Sequence, residues 1–277
     1  MASSPEPSIL NQQMPQKPVA NPGQTSAKVS AVELSKKLQK CMLRLKGEYM
    51  GNEGQGVDYE KLRLSQQFKE YEELTSQLQN VSLTDLSENE KKAFFINLYN
   101  ALTIHGLARM EALPDSVLNV QQFWKKTCYN VAGHTFSLDD IEHGILRGNK
   151  PHPSSMSPPI HFALVCGAVS CPVINVYTAE NLDRALEDAT KNFCKQEVSM
   201  FTETDEIWLS KIFQWYMDDF GKTDLDVIKW TIPYLELNIQ ERAWTLLAKL
   251  QSYGTVDVKY NEYDWRLNRK GVNPLIL

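Results

Sequence analysis

No stretch of this 277-residue chain suits a membrane-spanning helix. The longest apolar run, Ile160 to Val169, is interrupted and far short of the roughly 20 residues required. The N-terminus lacks the basic-then-apolar pattern of a secretory signal, and Ala2 stands where myristoylation needs glycine. Positive charge is not in excess: 29 Lys and Arg face 34 Asp and Glu, giving a net charge of -5 and a pI near 5.6. Neither nucleic acid nor a membrane surface is expected as a partner on that balance. Cysteine is scarce and unpatterned. Cys41, Cys128, Cys166, Cys171 and Cys194 are odd in number, follow no regular framework and contain no Cys-x-x-Cys segment. Without an export signal, they read as reduced thiols of a cytoplasmic protein, mostly small buried hydrophobes. There is no internal repeat, and no cofactor is expected.

What is present describes a globular protein: 42% hydrophobic and 23% charged residues over a length sufficient for one large domain or two small ones. Residues 1–30, rich in Pro, Ser, Gln and Asn, are expected to form a disordered tail. Residues 31–80 form a helical lead-in, with apolar side chains at helical spacing over Ala31 to Met50 and again over Asp58 to Leu78. Residues 81–277 are the main domain. Ser87 and Glu90 form a capping box at the start of a helix with little polar surface, which should be central and buried. Ser137 and Asp140 open a second helix, Leu138 to Arg147. The proline-rich stretch Gly148 to Pro159 must be a loop. Ile160 to Val165, Ile174 to Tyr177, Glu206 to Leu209 and Val256 to Tyr260 read as short strands. Helices follow Thr178 and cover Ile212 to Phe220, Val227 to Leu237 and Ile239 to Leu250. The predicted class is α+β: a helix-rich domain packed around a small, mainly antiparallel sheet.

Three segments could carry chemistry. His161-Phe-Ala-Leu-Val-Cys166-Gly167 places a thiol at the end of a buried strand, before a glycine that permits a tight turn and close approach of a ligand. Cys171 follows five residues later. The bland reading makes Cys166 a core residue and Cys171 an ordinary loop thiol. In the second segment Asp139, His143 and Arg147 recur at four-residue spacing and share a helical face. A histidine among charges is a candidate general base, although a surface charge ladder has the same pattern. In the third, Asp264 lies among Tyr260, Tyr263 and Trp265; it could orient an imidazole or cap a turn.

These segments, with Phe94 to His105, Leu209 to Gly221 and Tyr263 to Asn268, occur in the order of motifs in the domain-of-unknown-function 547 family, which the chain resembles from about Phe68 to Asn268. Some bacterial members of that family are considered similar to papain-like or transglutaminase-like thiol enzymes. The resemblance therefore implies a Cys/His/Asp site. It favours Cys166 as nucleophile with Cys171 second, and His143 as base with His161 the competitor, since residues five apart on a strand face opposite ways. Glu142 or Asp264 would orient the imidazole. Asn97 and Asn100, polar on a buried helix, could donate to an oxyanion or serve the core.

Three functions stay open. The first is a thiol-dependent hydrolase or acyltransferase acting on a peptide, isopeptide or thioester of a peptide or protein substrate. The second is a non-catalytic module that keeps the ancestral pocket and docks a protein partner through its N-terminal helices. The third is a zinc site from His143, His161, Cys166 and Cys171, whose ligand types suit zinc but whose spacing matches no standard pattern.

Overall fold

The computed structural model describes residues 6–12, 29–51, 56–84, 86–148 and 158–272. The chain divides into two units, one of residues 1–146, 164–182 and 265–277, the other of residues 147–163 and 183–264.

The first unit is built around one helix. Short strands β1 (Ser8–Ile9) and β2 (Val29–Ser30) precede α1 (Ala31–Tyr49), α2 (Tyr59–Leu64), α3 (Gln66–Ser76), β3 (Val81–Ser82) and α4 (Glu88–Ala108). The capping box read from Ser87 and Glu90 opens α4. Phe94, Phe95, Ile96, Leu98, Leu102, Ile104 and Leu107 point in several directions from this helix, yet all are buried. A helix apolar all round must be enclosed, and α4 is. The stripe Ala31, Leu34, Leu38, Cys41, Met42 and Leu45 of α1 is likewise buried within the unit. Asp58 to Leu78 is not one helix: Ser65 ends α2 and caps α3 through its hydroxyl.

Two features of this unit differ from expectation. Part of the presumed tail belongs to the fold: Ser8 and Ile9 pair with Thr127 and Cys128. Asn11 is buried; its side chain exchanges two hydrogen bonds with the backbone of Asn130 and donates another to the Thr75 carbonyl. One well-placed amide thus ties down a segment too polar to suggest a core. Residues 1–5 and 13–28 of that tail lie outside the described residues. After α5 (Phe123–Lys126), β4 (Thr127–Val131) and β5 (His134–Ser137) make a hairpin. Its turn residues Ala132 and Gly133 both have positive φ, 53° and 83°, which suits the right-handed twist of paired strands.

The second unit holds α6 (Leu182–Glu197), β6 (Ser199–Phe201), β7 (Glu206–Ser210), α7 (Lys211–Trp215), α8 (Met217–Phe220), α9 (Asp224–Thr231), α10 (Leu237–Tyr253) and β8 (Asp257–Asn261). β7 pairs antiparallel with β6 and parallel with β8. Phe162, Phe193, Ile207, Phe213, Phe220 and Leu246 centre its core.

The α+β class holds, but in place of one mainly antiparallel sheet the described residues form three small sheets, two of mixed direction and the β2–β3 pair parallel. Two predicted strands are absent. In the first, Pro158–Phe162 forms a 3-10 turn and Leu164 to Cys166 is irregular; an apolar run reads the same for a buried strand and a buried helical turn. In the second, Ile174 to Tyr177, side chains replace the ladder. Lys46 Nζ donates to the Ile174 carbonyl at 2.6 Å, while Asn97 accepts from the Tyr177 N–H at 2.9 Å and donates to its carbonyl at 2.6 Å. These two hydrogen bonds make Asn97 a clamp on the Tyr177 backbone. Residues 149–157 of the expected loop lie outside the described residues; Pro158 and Pro159 open the 3-10 turn. Among the described residues no helix is long and apolar enough to cross a membrane.

Candidate thiol site

Cys166 and Cys171 belong to the first unit, in a turn held at both ends. The Val165 N–H donates to Asn100 Oδ1 on α4 at 2.8 Å, so Asn100 fixes the backbone just before the thiol. Beyond it, Asn268 N–H donates to the Gly167 carbonyl at 2.9 Å, and Val169 N–H donates to Arg266 O at 2.9 Å. Ala168 and Leu267 form an antiparallel bridge between these segments. Gly167 has φ +92°, and a Cβ there would lie 2.6 Å from Leu107 Cδ1. The glycine is required for both reasons. Asn268 also accepts from the N–H groups of Gly56 and Val57, through its side chain and its carbonyl. That contact sets the start of α2 beside the same turn.

The turn brings the two sulfurs together. Cys166 Sγ lies 2.8 Å from Cys171 Sγ, and the Cys166 N–H donates to Cys171 Sγ at 3.1 Å. Both residues are half-buried thiols, not joined in a disulfide. Near them is Tyr59, fully buried, whose hydroxyl has no hydrogen-bond partner. Burial, and then the charges the Cys171 and Cys166 thiols would carry, push its phenol above the ordinary range. The other three cysteines are buried and their thiols are harder to ionise. Burial raises Cys41, takes Cys128 to about 11 and takes Cys194 to about 12.

The expected helix around His143 is wound unusually: Asp140–Leu146 is a π-helix, opened by Ser137 and Asp140 bonding each other reciprocally. Such wide turns in a helix are frequent at functional sites. Its Glu142 accepts from the Tyr99 hydroxyl at 2.9 Å. Tyr99 and Asn100 are consecutive on α4, so one point of that helix anchors both the His143 segment and the Cys166 turn. His143 lies 3.9 Å from Asp139, with side chains 40% and 39% exposed. Arg147 does not continue this ladder. It belongs to the second unit, where its guanidinium pairs with Asp219 at 3.0 Å.

His161 is also in the second unit. Its Nε2 lies 2.8 Å from Asp219 Oδ2, and its ring stacks on Tyr216 with centroids 4.1 Å apart. Because residues 158–162 are a 3-10 turn, the strand-face argument about His161 and Cys166 has no application. Asp219 opposes burial through its bonds to His161 and Arg147, which hold its carboxyl below the usual range. Sequence reading overlooked this carboxylate, although it lies in the Met217-Asp-Asp219-Phe220 segment. A break helped to hide it: the expected helix Ile212 to Phe220 is divided at Tyr216 into α7 and α8, which sets that ring against His161. Asp264 is half-buried and closes the second unit's share of the chain.

Among the described residues no three His, Cys, Asp or Glu side chains are grouped to hold a metal ion. A family model described as Protein of unknown function, DUF547, matches residues 83–194. Over these residues the chain is similar to that family. The DUF547 match contains α4, the hairpin, the π-helix and the thiol turn, and with them His143, Glu142, His161, Cys166 and Cys171. The segments around Asp219 and Asp264 fall outside it. Comparison with curated proteins and with solved structures finds no match.

Proposed function

We propose that the first unit is a thiol-dependent centre of acyl transfer or hydrolysis, acting on a peptide, isopeptide or thioester carbonyl. Cys166 is the nucleophile and His143 the general base. One observation carries this reading: consecutive residues of α4 anchor both partners' segments, Tyr99 through Glu142 and Asn100 through Val165. In the reaction His143 takes the Cys166 proton, the thiolate adds to the carbonyl, and the C–N or C–S bond breaks as the imidazolium protonates the leaving group. Water or an acceptor amine, deprotonated by His143, then displaces the Cys166 sulfur, which regains its proton. Asp139, on the same helical stretch, lies 3.9 Å from the His143 ring. The rigid turn keeps the nucleophile's direction fixed and leaves the side chain half open to substrate.

Timed alkylation with iodoacetamide at pH 7, read by peptide mass spectrometry, tests the proposal. Cys166 should be modified well before Cys41, Cys128 and Cys194, and His143→Ala should slow its labelling selectively. Hydrolysis of a model thioester should vanish in Cys166→Ala. Even labelling of all five thiols, or turnover indifferent to Cys166→Ala, would overturn the reading.

A further inference from the structure

We infer that Cys166 and Cys171 are a paired oxidation site, which a hydroperoxide converts to a disulfide and a dithiol reductant restores. The inference deepens the proposed function, since oxidation would consume the nucleophile, but the pairing itself does not depend on any catalytic activity.

Three observations point to it. The sulfurs are already in contact at 2.8 Å, so closing the bond needs only a small local movement. The turn between them is fixed by the bonds from Asn100, Arg266 and Asn268, together with the Cys171 N–H donating to Ala168 O at 3.2 Å. This anchoring keeps the thiols near each other and raises their effective concentration. Finally, the two are half-buried whereas the other three cysteines are buried, so a small oxidant meets this pair first.

The chemistry balances with peroxide as oxidant. The Cys166 thiolate attacks one peroxide oxygen: an S–O bond forms, the O–O bond breaks, and the departing hydroxide takes a proton to become water. The sulfenic acid so formed is attacked by the Cys171 thiolate. An S–S bond forms, the S–O bond breaks, and a second water leaves. Overall the two thiols lose two electrons and two protons, and one hydrogen peroxide becomes two waters. The buried Tyr59 hydroxyl, without a partner beside this turn, can donate to the sulfenate oxygen before it departs.

The experiment uses the full chain, reduced and freed of reductant, then treated with hydrogen peroxide at one to five equivalents. The expected product is a monomer lighter by about 2 Da, with a disulfide mapped to Cys166 and Cys171, three thiols titratable after denaturation, and full reversal by dithiothreitol. Phenylarsine oxide, which bridges neighbouring thiols, should bind the reduced chain one to one and fail to bind the oxidised chain. In Cys171→Ser, dimedone should trap a sulfenic acid at Cys166. A disulfide mapped elsewhere, or stepwise gain of oxygen at Cys166 without loss of the two protons, would overturn the inference. The wild-type mapping decides it even where the variant folds poorly. The two ideas fail separately: a mapped disulfide with turnover untouched by Cys166→Ala removes only the enzyme, and turnover that needs Cys166 without any disulfide removes only the oxidation site.

Discussion

Two histidine–carboxylate pairs occupy opposite settings in this protein. In the second unit, His161 and Asp219 have side chains 2% and 7% exposed, meet at 2.8 Å and share the carboxylate with Arg147. In the first, His143 and Asp139 are more than a third exposed and 3.9 Å apart. Burial makes the first pair a structural lock, because either member alone would be an uncompensated polar group. Exposure leaves the second pair loose, with little stability at stake. The distance within a histidine–carboxylate pair here follows its burial.

Removing the carboxylates should sharpen this contrast. Asp219→Ala leaves His161 and Arg147 without their shared partner, and breaking a buried pair in this way costs about 3–5 kcal/mol; denaturant unfolding should show it. A smaller cost, about 1–3 kcal/mol, is expected for Gly167→Ala, which forces a side chain into a positive-φ position and against Leu107. The same variant should slow Cys166 alkylation, because the turn must shift.

Acidity separates buried groups from exposed ones. Burial lowers the His105 pKa, despite Glu72 at 3.1 Å. The stability this contributes is complete above the unfolded value of about 6.5. It is lost as pH falls through the depressed folded value. Asp219 follows at lower pH: its contribution is complete above about 3.9 and lost as pH drops through its depressed folded value. Chemical denaturation between pH 7 and 3 should show both phases, with the upper one absent in His105→Gln and the lower one, to which Glu72 also contributes, reduced in Asp219→Asn. At the small end, Asp139→Asn should change stability by less than about 1 kcal/mol, as exposed pairs do.

Much of the framework was legible because it depends on local chemistry. Ser87 and Glu90 marked the start of α4, its all-round apolar surface marked it as central, and the apolar spacing of Ala31 to Leu45 marked α1. What was hidden depends on distant partners. Nothing local tells that Asn11 will hold Asn130, or that Asn97 will replace a strand neighbour for Tyr177. The hairpin from Thr127 to Ser137 did carry a signal in its β-branched and aromatic residues around Ala132-Gly133. The π-helix did not: its sequence suits an ordinary helix equally well. Cys166, Cys171 and His143 could be picked out as candidates by residue type and motif, whereas the burial of Tyr59 in the first unit and the pairing of Asp219 with His161 in the second depend on segments remote in sequence.

Asn268 gives the thiol turn a history as well as a shape. Its contacts reach back to Gly56, Val57 and Gly167, so a growing chain on the ribosome cannot set this turn until residue 268 has been made and released. Until then Cys166 and Cys171 are already synthesised but lack the segment that holds their turn from the other side.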